Sequence, residues 1–211
     1  MSDKKSNILR VDCSMRKHAS MSRILADRLV GQLVRQNYDP EITVRDLQNG
    51  IGHITNSWRE SHLRDRKDRS SVDRALLAQS EAVTSELLRA DLLLFALPIY
   101  NFNVPATFKA WIDLICRDNV DGASASDYSK RERNKRAVVI LTSNYTLTGT
   151  SDDFVTPYLQ FILGFIGAHE IDFINATGLG KDRDTVIGSA HAAIDQICDK
   201  ILNDSISAAA Q

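Results

Sequence analysis

The chain has 211 residues, 43% of them apolar, and a formal net charge of −1, which suits one domain, residues 1–211, with a sizeable core. So balanced a charge gives no electrostatic case for nucleic acid or for an anionic membrane surface, and no apolar run approaches the roughly 20 residues that span a bilayer. Cys13, Cys116 and Cys198 are odd in number and widely spaced, so neither a disulfide framework nor a zinc cluster is suggested and a cytoplasmic protein is expected.

Met1–Ser6 leads into a strand rather than into the apolar core of a signal peptide. Asn7–Asp12 reads as that first strand. Ser20–Arg35 follows as a helix, with apolar positions Ile24, Leu25, Leu29, Leu33 and Val34. Glu41–Asp46 alternates Ile42 and Val44 with polar neighbours, as a second strand does. Arg59–Arg69 mixes basic residues with Glu60, Asp65 and Asp68 and reads as a solvated face or loop; Lys130–Arg136 reads the same way. Asp73–Arg89 is a second amphipathic helix.

Six apolar residues between Asp91 and Pro98, without alternation, suit a strand buried on both faces of a parallel sheet. Pro98 cannot donate to a ladder and should end it. Pro105 stands where a helix can begin, and Phe108, Trp111, Ile112 and Ile115 then keep a helical period. Ala137–Thr142 is a fourth buried strand, Asp152–Ile166 a helix despite Pro157, His169–Asn175 a fifth strand and Asp182–Leu202 a closing helix. Alternating strands and helices predict an α/β fold: a doubly wound, five-stranded parallel sheet in order 2-1-3-4-5 with helices on both faces.

Two loops carry candidate chemistry. Ile99–Val104 holds two aromatics and two amides at the carboxyl end of a strand, where ligands bind in open α/β sheets; a planar ligand with polar edges fits it. After the first strand, Ser14, Ser20 and Ser22 surround the start of a helix, whose unpaired N–H groups and positive dipole end attract phosphate. Seen alone, the serines are read more readily as simple N-caps. The loop has neither a Walker A pattern nor the dinucleotide fingerprint. Cys13 beside it could have a lowered pKa or be an inert buried thiol, and the latter is expected. His18, His53, His62, His169 and His191 show no metal-ligand spacing.

The segment Pro98–Pro105, followed by Lys109 and Asp113, resembles the flavin-contacting loop and helix of the FMN-dependent NADH azoreductases, flavodoxin-like homodimers that also reduce quinones. Phe154–Leu159 and Leu163–Gly167 resemble the family's segment after the fourth strand. The resemblance runs almost end to end, with a poor match near Asp118–Arg136. It implies FMN phosphate contacts at Ser14, Ser20, Met21 and Ser22. Ring contacts fall at Ile99, Tyr100, Asn101 and Phe102, and further contacts at Ser143, Asn144, Tyr145 and Thr146. It also implies NADH or NADPH as donor, and a quinone or azo compound as acceptor served in turn at one site. Flavin N5 carries the hydride and no catalytic side chain is required. Backbone N–H groups of Asn101–Asn103 are expected to orient the ring, and donors near Ser143 and Asn144 to stabilise its reduced form. A homodimer is implied, with Phe108 and Trp111 on the helix near its interface.

The chain departs from the family in two places. A Ser-Arg-Gly-Gly type sequence is expected under the flavin, but Ser143, Asn144, Tyr145 and Thr146 stand there. Glycines permit positive φ and close backbone approach, which Tyr and Thr resist. Either the loop takes another path or Tyr145 itself lies against flavin or substrate. The stretch Asp118–Tyr128 offers only Tyr128 as an aromatic floor for a dye. Two other readings follow from these departures: a flavodoxin-like electron carrier, whose usual strong acidity is missing here, and a flavin-free binding protein.

Overall fold

The computed structural model describes residues 6–116 and 135–209. The stretch Asp118–Tyr128 and the first part of Lys130–Arg136 lie outside them. Five strands, β1 (Asn7–Asp12), β2 (Glu41–Asp46), β3 (Leu92–Pro98), β4 (Lys135–Thr142) and β5 (Ala168–Ala176), pair in parallel in the order β2-β1-β3-β4-β5. This is the order the sequence predicts. Every residue of β3 and β4 is buried, as unbroken apolar runs in a sheet covered on both sides require. β2 forms one edge and keeps its alternating polar positions partly exposed.

Helices α1 (Met21–Arg35) and α6 (Arg183–Ala209) cover one face, through Leu25, Leu29, Leu33, Ile194 and Cys198 packed on Ile8, Leu94 and Ile140. On the other face, α3 (Ser71–Arg89), α4 (Ala106–Ile115) and α5 (Val155–Phe165) pack Leu77, Val83, Phe108, Trp111, Leu159 and Leu163 on Leu93, Phe95 and Val139. Phe95 meets Phe108 and Trp111 edge-on, with centroids 5.7 and 5.9 Å apart. The two α4 rings stack at 5.8 Å. This cluster pins α4 to β3 and so fixes both ends of the loop between them. Phe108 and Trp111 lie on α4 as expected, but their rings are wholly buried in their own chain.

Two differences, and one expectation that holds, have local causes. A short helix, α2 (Asn56–Leu63), takes in the first part of the charged stretch Arg59–Arg69, capped by Thr55 and seated through the buried Trp58; the rest of the stretch is mostly exposed, as expected. Lys135 and Arg136 open β4 rather than lying in a solvated loop. Arg136 is buried against Asp172, at 2.7 Å, and Asp204, at 2.7 Å, while the Lys135 ammonium donates to the carbonyls of Leu88 and Ala90. Pro157 falls in the first turn of α5, where no intrahelical N–H bond is lost, and Asp153 caps that turn by accepting from the Val155 and Thr156 amides at 3.1 and 2.9 Å.

Asp73 joins α2 to α3. Its carboxylate accepts from the Ser70 hydroxyl at 2.7 Å, the Ser61 hydroxyl at 2.8 Å and the Ser70 amide at 2.8 Å. The Ser70 and Ser61 hydroxyls hold its pKa down at about 2, with Arg64 adding a smaller effect in the same direction. A carboxyl depressed in the folded state stabilises above its unfolded pKa, roughly 3.9, and loses that contribution as pH falls toward its folded value. Asp73→Asn should therefore lower the melting temperature by a constant amount between neutrality and pH 5, and the gap from wild type should close below about pH 4. Thermal melts across this range check it, and a gap independent of pH would contradict the assignment.

Candidate functional site

The site forms where four strands end side by side. Just past β1 the Cys13 amide donates to the Ala96 carbonyl at 3.1 Å, and past β3 the Ile99 amide donates to the Thr142 carbonyl at 2.8 Å. The loop after β5 joins the loop after β4 through bonds from the Leu179 and Gly180 amides to the Ser143 and Asn144 carbonyls, at 3.0 and 2.9 Å. Together these loops enclose a cavity of about 560 Å³.

One wall is the start of α1. Ser20 has extended backbone, as an N-cap should, but its hydroxyl does not cap the helix; it lies 3.2 Å from the Ser22 hydroxyl instead. The first helical bond runs from the Ile24 amide to the Ser20 carbonyl. Among the described residues, the Met21, Ser22 and Arg23 amides have no partner. By contrast, α2 and α3 begin with side-chain caps. Ser14 and Ser20 are buried. The Ser14 hydroxyl oxygen accepts from the Arg16 amide at 3.2 Å, which leaves its proton free to donate. Unspent N–H groups, hydroxyl protons and the positive end of the helix dipole all favour an anion here.

The β3 loop supplies a second wall. Tyr100 and Asn103 exchange backbone hydrogen bonds of 2.9 and 3.0 Å around a tight turn in which Asn101 (φ 48°) and Phe102 (φ 66°) are both left-handed. For a bulky residue such as Phe102 this backbone costs about 1–3 kcal/mol and persists only where its surroundings impose it. The turn leaves the Asn101 and Phe102 amides without partners among the described residues. Asn103 differs from expectation: its amide is already bonded to the Tyr100 carbonyl, so two donors are available in Asn101–Asn103, not three. The Tyr100 hydroxyl reaches across to accept from the Met15 amide at 3.3 Å.

The β4 loop closes on itself. The Ser143 hydroxyl donates to the Thr146 carbonyl and the Ser143 amide to the Ala176 carbonyl. Both Ser143 protons are committed within the fold, and of the two residues expected to supply donors here, Asn144 also lines the cavity. Tyr145 is 71% exposed at the cavity. Its ring sits over Gly180, where an added Cβ would stand 2.8 Å from the ring and 3.1 Å from the Asn144 carbonyl. Tyr145 stands on the cavity wall, and Gly180 leaves room for its ring.

Charge is concentrated below the β1 loop. Arg23 bonds Asp12 at 2.9 Å and Asp46 at 2.6 Å, and Arg10 bonds Asp12 at 2.8 Å. Burial alone would raise the Asp46 pKa; the Arg23 bonds and the Gln48 amide more than reverse this and hold it low. The adjacent Cys13 thiol is pushed well up by burial and by the Asp12 carboxylate, so the inert reading of that cysteine is the correct one. Lining the cavity, the titratable side chains among the described residues are Arg16, Tyr100 and Tyr145; none has the carboxyl or imidazole that acid–base work near neutrality uses.

Residues 6–201 match the protein family described by a flavodoxin-like fold. An FMN-dependent NADH:quinone oxidoreductase of Colwellia psychrerythraea is 41% identical over 90% of this chain and 100% of its own. One from Hahella chejuensis is 35% identical over 92% and 96%. The chain belongs to this family of flavodoxin-like NADH:quinone oxidoreductases. A crystal structure of an FMN-dependent NADH-azoreductase from Bacillus anthracis in complex with FMN has the same fold, with TM-score 0.77 at 15% identity over 93% of this chain and 99% of that one.

Of the residues that the family resemblance singles out, all but Ser22 and Phe102 line the cavity. Ser22 lies behind Ser20 and orients its hydroxyl, and Phe102 is half exposed at the tip of the turn. Sequence reasoning missed Leu179 and Gly180 as part of the site. The signal was present: Gly178 and Gly180 follow a predicted strand, and Gly178 takes a positive φ of 86°.

Proposed function

We propose that this chain, acting as one flavodoxin-like unit in the cytoplasm, is an FMN-dependent NAD(P)H oxidoreductase that reduces small quinones by two electrons. The observation that carries the reading is the pairing of two kinds of unspent donor: the uncapped start of α1 with the Ser14 and Ser20 hydroxyls, and, across the same cavity, the amide of Asn101, with that of Phe102 next to it in the turn. The first set suits a phosphate monoester and the second the polar edge of a planar ring. A cavity of about 560 Å³ lies in the range of ligand pockets, roughly 300–1,000 Å³. FMN, when bound, supplies the redox chemistry by taking a hydride at N5 and passing two electrons on.

The residues of the chain then bind and position. Ser20, backed by Ser22, and the Met21 amide would hold the phosphate. Asn101 and Phe102 would fix the ring edge in a rigid turn, where strain is already spent and no reorganisation is needed. Arg16 lines the cavity and gives an anionic donor a counter-charge. Nicotinamide and acceptor must each lie flat against the same ring within reach of one atom, so they use one site in turn, with ping-pong kinetics. Solvent can protonate the product.

Replacing Ser20 and Ser22 together by Ala should weaken FMN binding by about tenfold or more, because each hydrogen bond to a charged group contributes roughly 1.5–3 kcal/mol. Fluorescence titration with FMN reads this directly. Unchanged affinity would remove the serines from the phosphate site.

Quinones should be favoured over bulky azo dyes. A small quinone needs the ring face and one wall, which Tyr145 supplies. With NADH as donor, double-reciprocal plots should be parallel, and kcat/KM for a benzoquinone should exceed that for a methyl-red-type dye. Tyr145→Gly should move this ratio more than it moves FMN affinity. Intersecting lines, or a dye used as well as the quinone, would contradict the proposal.

A homodimer is the assembly we infer, with Phe154 and Phe161, exposed by 58% and 72% on and before α5, as better candidates for its contacts than the buried rings of α4. Phe161 stacks on Phe165 at 6.5 Å, so the apolar face is preorganised. Phe161→Glu should shift light scattering from dimer to monomer; wild type running as an active monomer at micromolar concentration would overturn the inference.

A further inference from the structure

The peptide unit between Ser14 and Met15 is held at both of its ends by side chains from different parts of the fold. On one side, Arg23 Nη2 donates to the Ser14 carbonyl at 3.2 Å. On the other, the Met15 amide donates to the Tyr100 hydroxyl at 3.3 Å. Because a peptide is planar, with its C=O and N–H pointing in opposite directions, two such bonds fix its rotation: the plane cannot turn without breaking both. The Arg23 guanidinium is itself anchored. Nη1 bonds Asp12 at 2.9 Å and Asp46 at 3.0 Å, and Nη2 bonds Asp46 at 2.6 Å.

Charge alone does not explain this arginine. Its network comprises Arg10 and Arg23 against Asp12, Asp27 and Asp46, two cations against three carboxylates. The cluster has no positive charge left over to attract a phosphate, and the guanidinium side chain is only 15% exposed. What Arg23 gives the site is geometry: its planar fork spans Asp12, Asp46 and the Ser14 carbonyl at once, which an ammonium cannot do.

We propose that Arg23 is a positioning residue for the phosphate end of the site, acting through the Ser14 carbonyl to set the β1–α1 loop in its anion-receiving form. The proposal rests on the FMN reading above. Through the same peptide, Tyr100 ties that loop to the turn that faces the flavin ring, so the two ends of the ligand are met by loops held in one register.

The test compares FMN with riboflavin, which has the same ring and no phosphate. In the flavin-stripped protein, Arg23→Lys keeps the charge beside Asp12 and Asp46 but lacks the fork; Arg23→Gln loses both. Each variant should bind FMN about tenfold or more weakly while riboflavin affinity stays within about twofold of wild type. Should Arg23→Gln fail to fold, Arg23→Lys carries the comparison. Equal losses for both flavins would reduce Arg23 to a general structural role. Full FMN affinity in Arg23→Lys would show that charge suffices. Either result overturns the proposal. A wild-type protein that binds neither flavin would instead remove the FMN reading itself.

Discussion

A parallel sheet covered on both faces imposes the constraint from which the site follows: every strand must hand on its chain at the same edge. In the order β2-β1-β3-β4-β5 the chain leaves β1 toward α1 on one face and leaves β3 toward α4 on the other. The two loops therefore part over the sheet edge and open a crevice between them. Backbone bonds continue the ladder just beyond the strands, from Cys13 to Ala96, Ile99 to Thr142 and Leu47 to Asp12. The crevice walls thus begin from rigid backbone. Phe95, Phe108 and Trp111 lock the far end of one wall, and the Arg10, Asp12, Arg23 and Asp46 network locks the base of the other.

On this frame the chain keeps polar groups unspent at chosen places. A buried serine at a helix start normally satisfies that helix; Ser20 does not. A tight turn normally places Gly or Asn at both positive-φ positions, and this one places Phe102 at the second. In each case local stability is given up, and what results is an N–H or O–H not spent on the local structure. Such violations of local rules concentrate at functional sites. Their absence from the β4 loop is equally informative. There the Ser143 hydroxyl and amide serve backbone carbonyls of the fold, while Asn144, Tyr145 and Thr146 line the cavity.

The parts of this arrangement that the sequence makes legible are those governed by local pattern. Uninterrupted apolar runs specify β3 and β4, and Pro98 and Pro105 bracket the loop between β3 and α4. Serines at the first strand–helix junction mark the anion end. The parts that stay hidden depend on tertiary contacts. In α2, Trp58 alone of the apolar side chains is buried, too little for a period. Arg23 sits in an amphipathic helix, where an arginine ordinarily faces water, and its role exists only once β2 brings Asp46 beside it. Arg136 looks like the end of a charged loop until Asp172 and Asp204 converge on it. That Ser143 turns its hydroxyl to the Thr146 carbonyl and its amide to the Ala176 carbonyl is likewise a matter of the folded loop and of β5, which no local pattern in the sequence spells out.

Whether one crevice binds a phosphate-bearing flavin, through the start of α1 and the left-handed turn at Asn101 and Phe102, is read by calorimetric titration of the flavin-stripped protein with FMN. Saturation at one FMN per chain is expected, giving a yellow protein whose colour NADH bleaches and a quinone restores. A colourless protein that takes up no added FMN would contradict it.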